Sequence, residues 1–155
     1  MHIGAKIICS LVLLLVLALP LSYCEVMGVG DLVEKYAKAT DVQRRELLNT
    51  YQYTEISAAG IIANVMDYPG FDQRTDTSRR YYEVITEKQM TKTGIVYDVM
   101  IIDKDKASVD KLSKGEEMRA SGALIKIIDN IGSFSVWIYT GELTPEDKSM
   151  LVSVT

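Results

Sequence analysis

The sequence predicts a small, mainly β domain behind a helical lead-in, with five strands that close into a barrel. Five segments between residues 53 and 143 are rich in β-branched and aromatic residues. A short helical segment separates the third from the fourth, and two of the strands carry a glycine at matching points. A glycine weakens a strand unless the sheet bends there, so the pair indicates strands that coil to close a barrel.

Residues 1–24 have the pattern of a signal peptide. A charge-free apolar run at 7–22 follows a positively charged N-terminus, and Pro20 ends any helix before a cut after Cys24. An uncleaved membrane anchor is one alternative. A lipoprotein acylated on Cys24 is another, because the preceding residues resemble a bacterial lipobox except at Tyr23. We expect an exported protein, periplasmic or secreted, whose contact with the membrane is through this segment alone.

The mature part of the chain, residues 25–155, contains neither cysteine nor histidine. This composition excludes a thiol nucleophile, a disulfide, a histidine base and a histidine-built zinc site. A domain held by packing alone suits a bacterial envelope better than an animal extracellular space, where small domains are usually disulfide-dense. The mature part has 16 basic and 21 acidic residues, a net charge of −5, which matches nucleic acid poorly.

Residues 25–52 are predicted to form a lead-in of two helices. Asp31 is placed as the cap of the first, and Leu32, Val33, Tyr36 and Ala37 share one face. Thr40 and Gln43 fit a capping box for the second helix. The residues expected to face inward from this second helix are Val42, Leu48 and Leu47.

The strand candidates are Glu55–Asp67, Arg80–Lys88, Ile95–Asp103, Glu117–Asp129 and Ser133–Leu143. Between the third and fourth, Lys106–Gly115 is predicted as a two-turn helix with Val109 and Leu112 inward and Gly115 as its terminator. Residues 144–155 are assigned to a C-terminal tail. Neighbouring strand residues face opposite ways, so only one of Tyr81 and Tyr82 can be exposed on the sheet. By the same rule, Trp137 and Tyr139 share a face opposite Val136 and Ile138.

Two of these strands resemble each other. Residues 58–67 align with residues 120–129, which places Gly60 and Gly122 at the same point of each. Short β segments rich in Ile and Ala also resemble one another by chance, and that alternative stays open at the level of sequence. The matching glycines nevertheless favour two corners of one curved sheet.

Five strands with a short helix between the third and fourth is the order of an OB-fold, a Greek-key barrel. The chain resembles the small exported OB-fold proteins grouped as tRNA_anti-like. The resemblance covers about residues 31–142 and rests on the helical lead-in at 40–51, Gly60, the Lys114-Gly115 pair and Gly122. These motifs are structural, so the resemblance implies the fold and transfers no RNA-binding residues.

Motifs for catalysis are absent from the sequence. It has no nucleophile elbow, phosphate loop, metal-ligand spacing or dinucleotide fingerprint. The closely spaced acids at 103–105 and 72–76 lack the Gly and distal Glu of a calcium loop and are interpreted as turns. The sequence therefore predicts a protein that is not an enzyme and has no metal and no cofactor.

The better candidates are binding residues. OB-folds commonly bind ligands on the face of strands two and three, beside the loop that joins strands one and two. That loop, residues 68–79, is long and carries aromatic, basic and hydroxyl side chains. The structural alternative is that the loop is a hydrophilic connection and the strand aromatics are core. The predicted ligand-binding residues are Tyr68, Phe71, Arg74, Arg80, Tyr82 and Asp98.

The predicted function is a non-enzymatic binding or adaptor module of the cell envelope or periplasm, with an unknown envelope protein, peptide or glycan as partner. Binding of single-stranded nucleic acid is the alternative, since OB-fold barrels often bind single strands. The acidic net charge makes nucleic acid the less favoured partner. An envelope-stress enzyme or a hydrolase with calcium or magnesium on oxygen ligands is the third hypothesis.

Overall fold

The computed structural model describes residues 26–67 and 81–153, and that part of the chain is mainly β with a few helices, as predicted. The predicted leader, including Cys24, lies outside the described residues. The helices are α1 (Val29–Lys38), α2 (Asp41–Tyr51), α3 (Lys106–Val109) and α4 (Pro145–Ser153). The strands are β1 (Met27–Gly28), β2 (Glu55–Asp67), β3 (Tyr82–Thr86), β4 (Gln89–Met90), β5 (Val96–Asp103), β6 (Glu117–Asn130) and β7 (Ser133–Tyr139).

Five of the strands form a closed ring of pairings. The order is β2, β3, β5, β7, β6, and β6 pairs back with β2. β5 and β7 run parallel, and the other four pairings of the ring are antiparallel. The two-residue strands β1 and β4 add to β2 and β5. The sequence did not predict them, because two residues are too few to show an alternating pattern.

Gly60 and Gly122 lie where long strands change partner, as their repeated motif predicted. β2 passes from β6 to β3 directly after Ile61, and β6 passes from β2 to β7 at Ala123. A Cβ atom at Gly122 would lie 2.8 Å from the backbone carbonyl carbon of Tyr139 and closer still to its oxygen. The close approach of β7 therefore leaves no room for a side chain at this corner.

Helix α1 packs into the inner core of the ring. Its buried residues are Val29, Leu32, Val33 and Tyr36, in one cluster with inward strand residues such as Ile56. The helix starts three residues earlier than predicted, with Gly28 in place of Asp31 as its cap, and Asp31 lies in its first turn. The reason is that Met27 and Gly28 pair with β2 and stay extended, so the helix begins immediately after them.

Helix α2 has the predicted capping box, but the prediction that Val42 faces inward is wrong. The Thr40 amide donates to Gln43 Oε1 at 2.9 Å, and the Gln43 amide donates back to Thr40 Oγ1. Val42 is 57% exposed, and none of the helix's residues is buried. Arg44 holds the helix to the body through the Tyr36 carbonyl at 3.0 Å, which turns Val42, about 200° away around the axis, to solvent.

Helix α3 is one turn, not the predicted two. It ends at Val109, which is buried, and Leu112 packs against the inner core beyond the helix end. The Gly115 amide donates to the Ile62 carbonyl at 2.8 Å, and the Ile62 amide donates to the Glu116 carbonyl at 2.9 Å. This exchange draws the residues after α3 into the sheet and ends the helix early.

A second core lies on the outer face of the ring. It contains Trp137 and Tyr139, opposite the inward residues of β7 as predicted, together with Tyr81, Ile102, Ile125 and Leu151. Leu151 belongs to α4, which occupies residues that the sequence assigned to a tail. Tyr81 and Tyr82 face opposite ways, as predicted, but neither is exposed: they are 2% and 8% exposed. Tyr81 packs in the outer core and Tyr82 in the inner core.

Candidate ligand-binding site

The structure tests the placement of two of the predicted binding residues. Tyr82 points into the inner core and is 8% exposed. Asp98 is half-buried on β5. Tyr82 pairs with Asp103, an odd-numbered residue of β5, so Asp98 lies on the opposite face from Tyr82. These two side chains do not share a surface. The other predicted residues lie outside the described part of the chain: Tyr68, Phe71, Arg74 and Arg80.

A cleft with a volume of about 560 Å³ lies among the described residues. One wall comes from the end of β1 and the start of α1, where Gly28 and Gly30 have no side chain and the side chain of Val29 is buried in the inner core. The opposite wall is the paired segment of β2 and β6, from Ser57–Ala59 and Arg119–Ser121. The small residues on both walls keep the cleft open.

Polar side chains from three strands converge on this cleft. Gln89 of β4 donates from Nε2 to the Ala59 carbonyl at 2.9 Å, and it accepts a long hydrogen bond of 3.4 Å from the Tyr97 hydroxyl. Burial raises the pKa of Tyr97, and the carboxylate of Asp31 adds to the rise, so its hydroxyl stays a donor. Arg119 is exposed and forms no ion pair with any described residue. The cleft thus offers a guanidinium, an amide and hydroxyls.

The outer face of β3 and β5 is the surface that the sequence favoured for binding. In the register of the sheet, Glu83 lies opposite Ile102 and Ile85 opposite Met100, with Asp98 further along β5. Glu83 also lies opposite Met66 of β2, which is 38% exposed. We call this set of six residues the acidic strip. Opposite residues on one face lie about 5 Å apart. The acidic strip is nevertheless not an open surface, because Glu83 is 3% exposed and Ile102 is buried in the outer core.

The buried carboxyl group of Glu83 lowers the stability of the folded protein. Glu83 is 3% exposed, and no hydrogen bond or ion pair joins its carboxyl group to any described residue. Burial raises the pKa of Glu83 above its ordinary value. Burying a carboxyl group without a partner opposes folding, so Glu83 departs from the rules that shape a stable core.

Replacing Glu83 should therefore stabilise the protein. We expect Glu83→Leu to raise the free energy of unfolding at pH 7 by about 1–3 kcal/mol, the cost of an unsatisfied buried polar group. Because the folded-state pKa is raised, the part of the cost that comes from ionisation is absent below about pH 4.5, grows as the pH rises towards the folded pKa and is constant above it. Urea unfolding at pH 4 and pH 7 measures both effects. A Glu83→Leu protein that is less stable than the parent at pH 7 contradicts the prediction.

Helix α4 is fixed to the ring by a second buried carboxylate, Asp147, which is 1% exposed. Lys104 donates to it at 2.8 Å, the Thr144 hydroxyl at 2.7 Å, and the Tyr81 hydroxyl also donates to it. Burial alone would raise the pKa of Asp147, but the hydrogen bonds from these groups outweigh burial and lower the pKa to about 2. Asp147 thus joins the end of β5 and the residue before β3 to α4.

The sequence analysis missed the cleft, Glu83 and Asp147. For Glu83 and for the helix that carries Asp147, the sequence contains a pattern that could have indicated them. Thr144-Pro145 is a capping residue followed by the residue favoured at the first helical position, which could have revealed α4. Glu83 stands within the run Tyr81-Tyr82-Glu83-Val84-Ile85, where an acid among β-forming residues marks a possible site. The cleft left no signal, since its parts are distant in sequence.

Two solved structures resemble this chain at low sequence identity. No family model matches the chain, and no curated protein matches it. A lipoprotein from Klebsiella pneumoniae, described as a candidate nucleic-acid-binding protein, has a TM-score of 0.48 and 15% identity over 73% of this chain and 87% of its own. An OBody bound to hen egg-white lysozyme has a TM-score of 0.34 and 15% identity over 57% of this chain and 79% of its own. Similarity at this level carries no argument about binding.

Within residues 26–67 and 81–153, helices long and apolar enough to cross a bilayer are not found. The same residues hold no group of three or more acidic side chains placed to bind a metal ion.

Proposed function

We propose that the chain is an exported, non-enzymatic binding module with an OB-fold, whose cleft between α1 and the β2–β6 pair holds a polar ligand the size of a short peptide or disaccharide. The cleft is the observation on which the proposal rests. Binding sites are typically concave, with a few converging polar groups, and Gln89, Tyr97 and Arg119 converge here from three strands.

The OB-fold assignment is supported by the ring of pairings. An OB-fold is a five-stranded Greek-key barrel, and five strands here pair in the closed order β2, β3, β5, β7, β6. In chain order, the one-turn helix α3 lies between the third of these strands, β5, and the fourth, β6. Export is supported by the apolar run at 7–22. The binding role is supported by the hydrogen-bonding groups of the cleft.

The test is chemical-shift mapping of the ¹⁵N-labelled protein with defined tripeptides and disaccharides. We expect shifts for the backbone amides of Gly28, Gly30, Ala59 and Ser121. Arg119→Ala should weaken the affinity at least tenfold, because Arg119 is the only cation among the described residues that line the cleft. Arg45→Ala is the matched control, since Arg45 is an exposed arginine on α2. Equal effects of the two substitutions, or shifts scattered away from the cleft, overturn the proposal.

A single-stranded oligonucleotide belongs in the same series. The net charge of −4 for the whole chain opposes the phosphate contacts on which such binding depends, so we expect no shifts at low salt. Salt-sensitive binding of the oligonucleotide would instead favour the nucleic-acid alternative.

A further inference from the structure

We infer that a second cavity, beside helix α3, binds the aliphatic chain of a small uncharged molecule. This α3 cavity has a volume of about 350 Å³ and lies at one end of the ring of strands, where β5 ends at Asp103 and β6 begins at Glu117. Ligand pockets are commonly of this size, and many lie in the mouths of β-barrels. The inference does not depend on the proposed function of the cleft.

The buried part of the α3 cavity is apolar. Its walls come from β3, β5, β6 and the segment of α3, and the apolar residues in them are Val84, Ile101, Val109, Leu112, Met118 and Ala120. Val84, Ile101 and Val109 belong to the inner core, and close-packed cores seldom leave apolar space of this size. Because a buried water molecule needs about two to four polar partners, this part of the cavity suits an apolar group better than water.

The polar residues of the α3 cavity form its opening to solvent. Ser108, Glu117 and Arg119 line the cavity and are exposed, whereas Asp103 and Thr140 are half-buried. The Thr140 hydroxyl donates to the Asp103 carboxylate at 2.7 Å, so these two groups already satisfy each other. An aliphatic chain that enters between the exposed residues therefore reaches the apolar walls without separating a buried polar pair, and its polar end stays in water.

The lining selects an uncharged aliphatic ligand. None of the described residues that line the α3 cavity is aromatic, so an aromatic ring would find no ring to pack against. Met118 has a flexible thioether side chain, which adapts to chains of different shape. At the opening, Glu117 and Arg119 carry opposite charges, so a charged head group of either sign would meet a like charge. A hydroxyl head group avoids this repulsion.

The experiment titrates the protein, labelled with ¹³C at its methyl groups, with butanol, hexanol and octanol. We expect shifts for the methyl groups of Val84, Ile101 and Leu112, which line the α3 cavity. The affinity should rise about fourfold for each added methylene group, the gain expected from burying it. Octanediol with a hydroxyl at each end is the matched control ligand. It should bind roughly tenfold more weakly than octanol, because its second hydroxyl would be buried without a partner.

Val109 is the residue to vary, because it lines the α3 cavity and does not line the cleft. Val109→Phe fills the cavity and should weaken octanol binding at least tenfold. Val109→Ala enlarges the cavity and should raise the affinity for decanol relative to octanol above the ratio seen in the parent. Ala107→Phe is the matched control, since Ala107 is an exposed residue of the same helix, and it should bind octanol as the parent does.

Four results would overturn the inference. They are a parent protein that binds none of the alcohols, octanol shifts that lie away from the α3 cavity, octanol binding by Val109→Phe that equals the parent's, and a decanol preference that is unchanged in Val109→Ala. Peptides and disaccharides in the cleft should instead shift the amides of Gly28 and Gly30. Failure of the cleft proposal and failure of this inference therefore give different results.

Discussion

Gly122→Ala should destabilise the protein by about 3 kcal/mol or more, at the upper end of the cost of overpacking a core. The added Cβ atom would lie 2.8 Å from the backbone carbonyl carbon of Tyr139. Tyr139 cannot withdraw, because it is 1% exposed and its strand pairs with β6 and β5 on either side. Urea unfolding followed by Trp137 fluorescence measures the loss.

Gly60→Ala is the matched control for this substitution. Its Cβ atom would meet the side chains of Thr86, at 3.1 Å, and Gln89, with the Gln89 amide nitrogen closest. A glutamine side chain can rotate away, and the main loss is then its hydrogen bond to the Ala59 carbonyl, so we expect a cost of about 1 kcal/mol. Equal costs at Gly60 and Gly122 would show that β7 does not constrain the corner at Gly122.

The features that were predicted correctly from the sequence are those that depend on residues close together in the chain. The bounds of β2, Glu55–Asp67, match the prediction, because a long Ile-, Val- and Ala-rich run indicates a strand without reference to any partner. The capping box of Thr40 and Gln43 is likewise a contact across three residues. The glycine corners were found because the same local pattern occurs twice.

The features that the sequence could not predict depend on which surface covers which. Alternation showed that Tyr81 and Tyr82 face opposite ways, but it cannot show that α4 covers the outer face while the ring closes around the inner face. Val42 fits an inward helical position, yet the contact between Arg44 and Tyr36 turns it to solvent. Periodicity identifies faces of an element, whereas the packing of distant elements decides which face is buried.

The candidate sites show the same division between local and distant contacts. The cleft joins β2, β4, β5 and β6 with the start of α1, and no spacing along the chain relates Gln89 to Arg119. Helix α4 was missed although Thr144-Pro145 marks its start, because the nine residues of the helix have no amphipathic repeat. It is held instead by a buried polar contact centred on Asp147.

Asp147→Asn should lower the free energy of unfolding by about 3 kcal/mol. This value is at the lower end of the range for breaking a buried ion pair, because Lys104 can turn to solvent once its partner is lost. Lys104 is 42% exposed in the pair whereas Asp147 is 1% exposed. Asn keeps the size of the side chain but removes the charge that Lys104, Tyr81 and Thr144 stabilise. The measurement is urea unfolding at pH 7, with amide hydrogen exchange in α4 to show whether the helix detaches first.

The pH dependence separates this charge effect from a packing effect. The folded-state pKa of Asp147 is lowered from 3.8 to about 2, so the carboxylate contributes about 2.5 kcal/mol at neutral pH. That contribution is present above about pH 4 and is lost as the pH falls towards 2. The difference in stability between parent and Asp147→Asn should therefore shrink over this interval, whereas a packing defect would leave it constant.

Asp110→Asn is the control, since Asp110 forms an ion pair with Lys106 in which both side chains are exposed, at 58% and 60%. An exposed pair contributes about 0–1 kcal/mol, and its removal should leave hydrogen exchange in α4 unchanged. If both substitutions cost the same, then α4 is held by the apolar contacts of Leu151 alone. In that case the outer core, and not the carboxylate, would determine whether Tyr81 and Trp137 stay covered.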